Sequence, residues 1–137
     1  MYLRFVCAER HPHQEAELGL YRALLRIDWD RQPLWLKLEF EEAWRVACRL
    51  GVPPVLKCGQ QTRRGRQSLC WLKGSGADWV LPHVRHLAWA VTEAGTPIQE
   101  LRTRNPGTVI WEDEDQVVAV PGRDLRRRFR RRLRHRR

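Results

Sequence analysis

The last fifteen residues, Arg123 to Arg137, contain ten arginines and a single acid, Asp124. A segment this charged cannot supply a core of its own, so whatever folds must be built from the residues before it. The segment carries +9 of the chain's formal +10, which leaves residues 1–122 with 16 basic and 15 acidic side chains. The strongly basic character therefore belongs to a tail and not to a domain. Arginine keeps its charge at any physiological pH, so the tail must either meet a polyanion or stay solvated.

At 137 residues the chain fits one domain, residues 1–122, followed by the arginine-rich tail, residues 123–137. A body of that size buries a self-sufficient core without metal or disulfides. The four cysteines, Cys7, Cys48, Cys58 and Cys70, show no Cys-x-x-Cys spacing. Reduced, buried thiols are the expectation, together with a cytoplasmic location, because Met1 to Val6 runs into a strand pattern without an export signal. No apolar stretch approaches the roughly 20 residues of a membrane span. Arginine outnumbers lysine 23 to 3. GC-rich coding would produce that bias unaided, and the tail itself could be a GC-rich extension.

Local patterns predict an α+β domain. Leu3, Phe5 and Cys7 alternate with Tyr2, Arg4 and Val6, the period of a strand. Leu18, Tyr21, Leu24, Leu25 and Ile27 follow a helical spacing that stops near residues 28–33. Phe40, Ala43, Trp44, Ala47 and Cys48 mark a second helix closed by Gly51. After a polar, basic loop at residues 59–67, Ser68–Lys73 returns to a strand pattern. Asp78 is placed to cap a third helix with Pro82 in its first turn, Val84, Leu87, Ala88 and Val91 on its apolar stripe and Gly95 at its end. Strands at Pro97–Arg102, Thr108–Trp111 and Gln116–Val120 complete the body, the first two joined by the Pro-Gly turn Asn105-Pro106-Gly107. The order β-α-α-β-α-β-β-β implies an antiparallel sheet with about three helices packed on one face.

Several of these segments resemble a family of small uncharacterised bacterial proteins. The likeness lies in Met1-Tyr2-Leu3-Arg4-Phe5-Val6 with Ala8-Glu9, in Cys70-Trp71-Leu72-Lys73, and in His83. It continues through Arg104-Asn105-Pro106-Gly107, Trp111-Glu112-Asp113-Glu114 and Gln116-Val117-Val118-Ala119. The resemblance implies a compact cytoplasmic protein and brings no catalytic residues. The arginine tail lies outside the family pattern.

Two basic features suggest nucleic acid, RNA or DNA, as the partner. In the tail, Leu125, Phe129 and Leu133 recur at i, i+4 and i+8, so a helical tail would set one apolar stripe among guanidinium groups. Neighbouring arginines repel, so the tail is expected to be disordered or to become helical on a polyanion. Arg126, Arg127, Arg128, Arg130, Arg131, Arg132 and Arg134 would then contact phosphates. The same stripe would also suit an anionic membrane surface.

In the body, no acid occurs between Glu42 and Asp78, and Arg63, Arg64, Arg66 and Lys73 fall within that window. An exposed Trp71 beside them would stack on an unpaired base, whereas a buried Trp71 would be core. The acidic quartet Glu112–Asp115 lacks calcium-loop spacing and reads as a hairpin tip, or as a dock for the molecule's own arginines. His83 and His86 lie three apart without a third ligand at a recognisable spacing, and no nucleophile, phosphate-loop or dinucleotide motif is present. No cofactor, metal or catalytic residue is thus assigned. The leading expectation is a non-enzymatic nucleic-acid-binding protein of weak sequence specificity. The alternatives are a protein-interaction or regulatory module and, third, a small metal-dependent nuclease.

Overall fold

A computed structural model describes residues 1–11, 15–57 and 62–135. Cys58, His13 and the residue 59–61 part of the basic loop lie outside the described residues, as do Arg136 and Arg137. The elements are β1 (Tyr2–Arg10), β2 (Glu17–Gly19), α1 (Leu20–Leu25), α2 (Leu34–Ala47), α3 (Arg63–Arg66), β3 (Leu69–Lys73), α4 (Leu81–Glu93), β4 (Gln99–Thr103), β5 (Thr108–Glu112), β6 (Gln116–Val120) and α5 (Arg123–His135). All six strands form one antiparallel sheet in the order β2-β1-β3-β6-β5, with β4 paired to β1. The fold is α+β, as the alternating patterns predict.

Strand alternation sorts the sheet into two faces. Leu3, Phe5, Cys7 and Leu72 point to one side, where Leu20 and Leu24 of α1, Ala43 and Ala47 of α2, and Val84, Leu87 and Val91 of α4 cover them. Trp29 stacks on Phe40 with ring centroids 4.0 Å apart, and Trp44 meets Tyr21 edge-on at 5.9 Å, so these tryptophans hold the helical layer together. The other face carries Tyr2, Leu69, Trp71, Leu101 and Val117, and Leu125 of α5 packs against it.

Leu18 belongs to β2 and not to the first helix. Its neighbour Glu17 points to the opposite face, where a distant arginine receives it, and the strand thereby gains a use for both its sides. Asp78 does not cap α4: Val80 occupies the cap position without a side-chain bond. The amides of His83 and Val84 instead donate to the Val80 carbonyl, closing the first turn through the preceding turn residues. Gly95, with φ of +109°, follows the Ala94 cap of α4 as its sequence position predicts, whereas α2 is capped by Cys48 and Gly51, with φ of +72°, closes the 3-10 turn Cys48–Leu50 beyond it.

Burial of the thiols is uneven. Cys7 is buried and Cys70 half-buried, but Cys48 is exposed at the end of α2, contrary to a uniformly buried set. Burial pushes the Cys70 thiol up to about 12, so it stays protonated and unreactive. Alkylation with iodoacetamide at about pH 8 should therefore modify Cys48 ahead of Cys7 and Cys70, which stay protected until denaturant is added. Peptide mapping by mass spectrometry checks this, and equal rates at the three sites would contradict the burial.

Candidate nucleic-acid interface

The arginine segment is a docked helix, not a tail. After the buried Pro121 and the exposed Gly122, α5 starts at Arg123 with Asp124 in its first turn, where a carboxylate favours the helix dipole. Leu125 is half-buried and Phe129 only 4% exposed, both seated on the Trp71 face of the sheet. Arg130 reaches Glu15 with two bonds, Nε to Oε2 at 3.1 Å and Nη2 to Oε1 at 2.9 Å. Arg132 Nε donates to Glu17 Oε1 at 2.5 Å. Burial of one aromatic side chain and these two pairings offset the arginine–arginine repulsion that would keep the isolated segment unfolded. The Arg130 bond holds the Glu15 carboxyl below the usual carboxylate range, so this contact is intact at neutral pH.

Docking divides the arginines by direction. Arg127, Arg131 and Arg134, spaced i, i+4 and i+7, lie on the side of α5 opposite Phe129 and are exposed. Arg123, Arg126 and Arg128 are exposed as well. Arg130 and Arg132 are engaged by the body's own acids, which removes them from the set wholly available to phosphate. The helix of thirteen residues is about 20 Å long.

The second basic segment contains a helical turn, α3, whose Thr62 Oγ1 accepts from the Gly65 amide at 3.1 Å. Gly65 is required there because a Cβ would lie 2.7 Å from the Val55 carbonyl oxygen. Arg63, Arg64 and Arg66 are exposed. Leu69 of β3 pairs with Ala119 of β6, so the residues preceding β3 and those following β6 stand at one end of the sheet. The two basic segments therefore begin at the same end. Lys73 does not join them: it lies at the other end of β3 and its Nζ is bound to Glu112 at 2.8 Å.

Trp71 cannot stack on a base. It is 3% exposed on the strand between β1 and β6, beneath the helix, and its Nε1 is buried without a hydrogen-bond partner among the described residues. Among the described residues the acidic quartet makes no ion pair with the arginines of α5 either. Glu112 holds Lys73, Asp113 accepts from the amides of Asp115 and Gln116, and Asp115 accepts from Trp79 Nε1 at 3.0 Å. The quartet is therefore a hairpin tip in which Glu112 pairs with Lys73. His86 Nε2 lies 2.6 Å from Glu39, and among the described residues no three His, Cys, Asp or Glu side chains are placed to share a metal ion.

Three residues important to this face do not stand out in the sequence: Arg4, Glu15 and Glu17. Arg4 is 8% exposed and its Nη2 donates to the Glu17 carbonyl at 2.7 Å. Burial lowers its pKa to about 10, the mark of a guanidinium with incomplete compensation. Its flanking Tyr2 and Val6 share its face of β1, and two apolar neighbours in three positions are the one hint that this face is covered. Comparison with protein-family profiles, with curated proteins and with solved structures finds no match.

Proposed function

We propose that the protein binds nucleic acid without catalysing a reaction, laying the outer face of α5 along phosphates with little preference for sequence. The observation that carries this reading is the division of labour within α5: its apolar stripe faces the protein's own sheet while Arg127, Arg131 and Arg134 face solvent. Cations held on a seated helix do not need to be ordered when the ligand arrives. The same observation weighs against a membrane surface, since Phe129 is already buried and cannot insert between lipids. The turn Arg63–Arg66 extends the basic surface from the end of the sheet where α5 begins. Guanidinium–phosphate contacts carry no base information, and RNA and DNA are both suitable ligands.

The test is a salt titration with single-stranded RNA and with duplex DNA, followed by fluorescence anisotropy. Affinity should fall steeply as salt rises. Replacing Arg127, Arg131 and Arg134 together by glutamine should lower the log–log slope on duplex DNA by about 2 to 3, since each lost phosphate contact contributes about 0.9. Far-UV circular dichroism should stay unchanged, because these side chains face solvent. A flat salt response of the native protein would remove the proposal.

A second reading, a protein-interaction module, rests on a separate surface. Leu34, Trp35 and Leu38 of α2 and Trp89 of α4 are exposed, and the Trp35 and Trp89 rings lie 6.3 Å apart. Clustered exposed aromatics of this kind are characteristic of contact surfaces.

A further inference from the structure

Between α5 and the sheet lies a small cavity of about 50 Å³, lined by the buried side chains Arg4, Trp71 and Phe129. A water needs roughly 10–15 Å³ on this measure, so the space holds a few waters or one tetrahedral oxyanion. Its polar lining is unusual. Arg4 brings a guanidinium with five N–H donors, of which, among the described residues, one is used on the Glu17 carbonyl. Trp71 lines the same cavity and carries a buried indole N–H with no partner among the described residues. Two carboxylates, Glu15 and Glu17, also border the space, but each is already bound by an arginine of α5. Arg102 is bound to Glu100, whereas Arg128 has no ion pair among the described residues. The balance is a buried site with spare donors and excess positive charge, the chemistry that selects a small anion.

Access follows from the same residues. Arg102, Leu125 and Arg128 line both this cavity and a wider groove of about 650 Å³ beside it, bordered by Met1, Asn105 and Arg123. They therefore stand where the two spaces meet. We propose that the cavity under α5 is a binding site for one phosphate group, held by Arg4 and the Trp71 indole N–H and screened by Arg128. The phosphate is either free in solution or the terminal phosphate of a nucleic-acid strand lying in the groove. Only the second source rests on the nucleic-acid reading above.

The Trp71 indole N–H gives its own signal in a proton–nitrogen correlation spectrum of the full-length protein, assigned by its loss in Trp71→Phe. Titration with sodium phosphate against chloride at matched ionic strength should move that signal downfield and saturably, leaving the other indoles in place. Arg128→Gln, an exposed position where folding is not at risk, should weaken the phosphate response by roughly three- to tenfold, the loss of one charge-assisted contact. No movement, or equal movement with chloride, overturns the site and leaves a hydrated packing gap. Oligonucleotides with and without a 5′-phosphate then identify the source. Tighter binding of the phosphorylated strand, abolished by excess inorganic phosphate, assigns the terminal group; equal binding of both strands assigns free phosphate. Failure of all oligonucleotide binding would sink the proposed function while leaving the phosphate site standing on the indole shift.

Discussion

Phe129→Ala is expected to detach α5 from the sheet and to cost about 3 kcal/mol of stability, the lower end for removing a buried phenyl ring. Phe129 is the most deeply buried side chain of α5, flanked by the half-buried Leu125 and Leu133. Without it the helix must persist on two ion pairs, one of them between exposed groups, against repulsion among eight arginines in thirteen residues. A helix that short is marginal in water even with favourable charges. The variant should therefore lose helical signal from one segment, and amide exchange across residues 123–135 should accelerate more than exchange in β1, β3 or β6. Protection of α5 at the native level would show that the ring is not its anchor. The proposed nucleic-acid binding should survive in a weaker form with a nearly unchanged salt slope, because the charge remains and only its ordering is lost.

Gly107→Ala should be comparably damaging, at about 2–4 kcal/mol, for a backbone reason. Gly107 has φ of +109°, and a Cβ there would lie 2.0 Å from the Val120 carbonyl oxygen and 3.0 Å from Pro121 Cα. Both atoms are main chain and neither can rotate away. Asn105 Oδ1 also accepts from the Gly107 amide at 3.0 Å, which fixes the turn in place. The methyl group would have to push apart the ends of β5 and β6 at the point where the chain leaves for α5. A lowered urea midpoint together with faster exchange at Thr108 and Val120 is the expected result. A midpoint within experimental error of the native value would show that the turn yields more easily than this packing implies.

Much of the fold is legible from local pattern. The strand at Gln116–Val120 and the apolar stripes of α2 and α4 appear where their periodicities place them, and Gly51, Gly95 and Gly107 sit at positive φ. These features depend on neighbours within a few residues. Three-residue β2 is hidden in the sequence because Leu18 also fits the helical spacing of Tyr21 and Leu25, and only its antiparallel pairing with β1, Gly19 opposite Val6 and Glu17 opposite Arg10, makes it a strand. Trp71 admits two readings from sequence, since alternation tells which side a residue faces and not whether something covers that side.

The candidate site is legible in charge and illegible in arrangement. The run from Arg126 to Arg134 and the i, i+4, i+8 stripe of Leu125, Phe129 and Leu133 are plain in the sequence. Their seat is not. Glu15 and Glu17 lie 115 residues from the arginines they bind, and the nearer Glu112–Asp115 quartet carries ample charge of the same sign. Opposite sign alone cannot choose between them, because electrostatic attraction has no register until side-chain geometry supplies one.

By itself, then, the sequence determines the α+β composition, the segregation of basic charge into two segments, and an amphipathic pattern at the C-terminal end. The tertiary structure alone decides what that pattern is for. The stripe of α5 finds its partner in the second face of the sheet, which turns an arginine run that would repel itself into a helix with cations aimed outward. It also buries Arg4 and the Trp71 indole beneath that helix. The physical reason is that burial is a property of two surfaces meeting, and only the folded chain brings the second surface into contact.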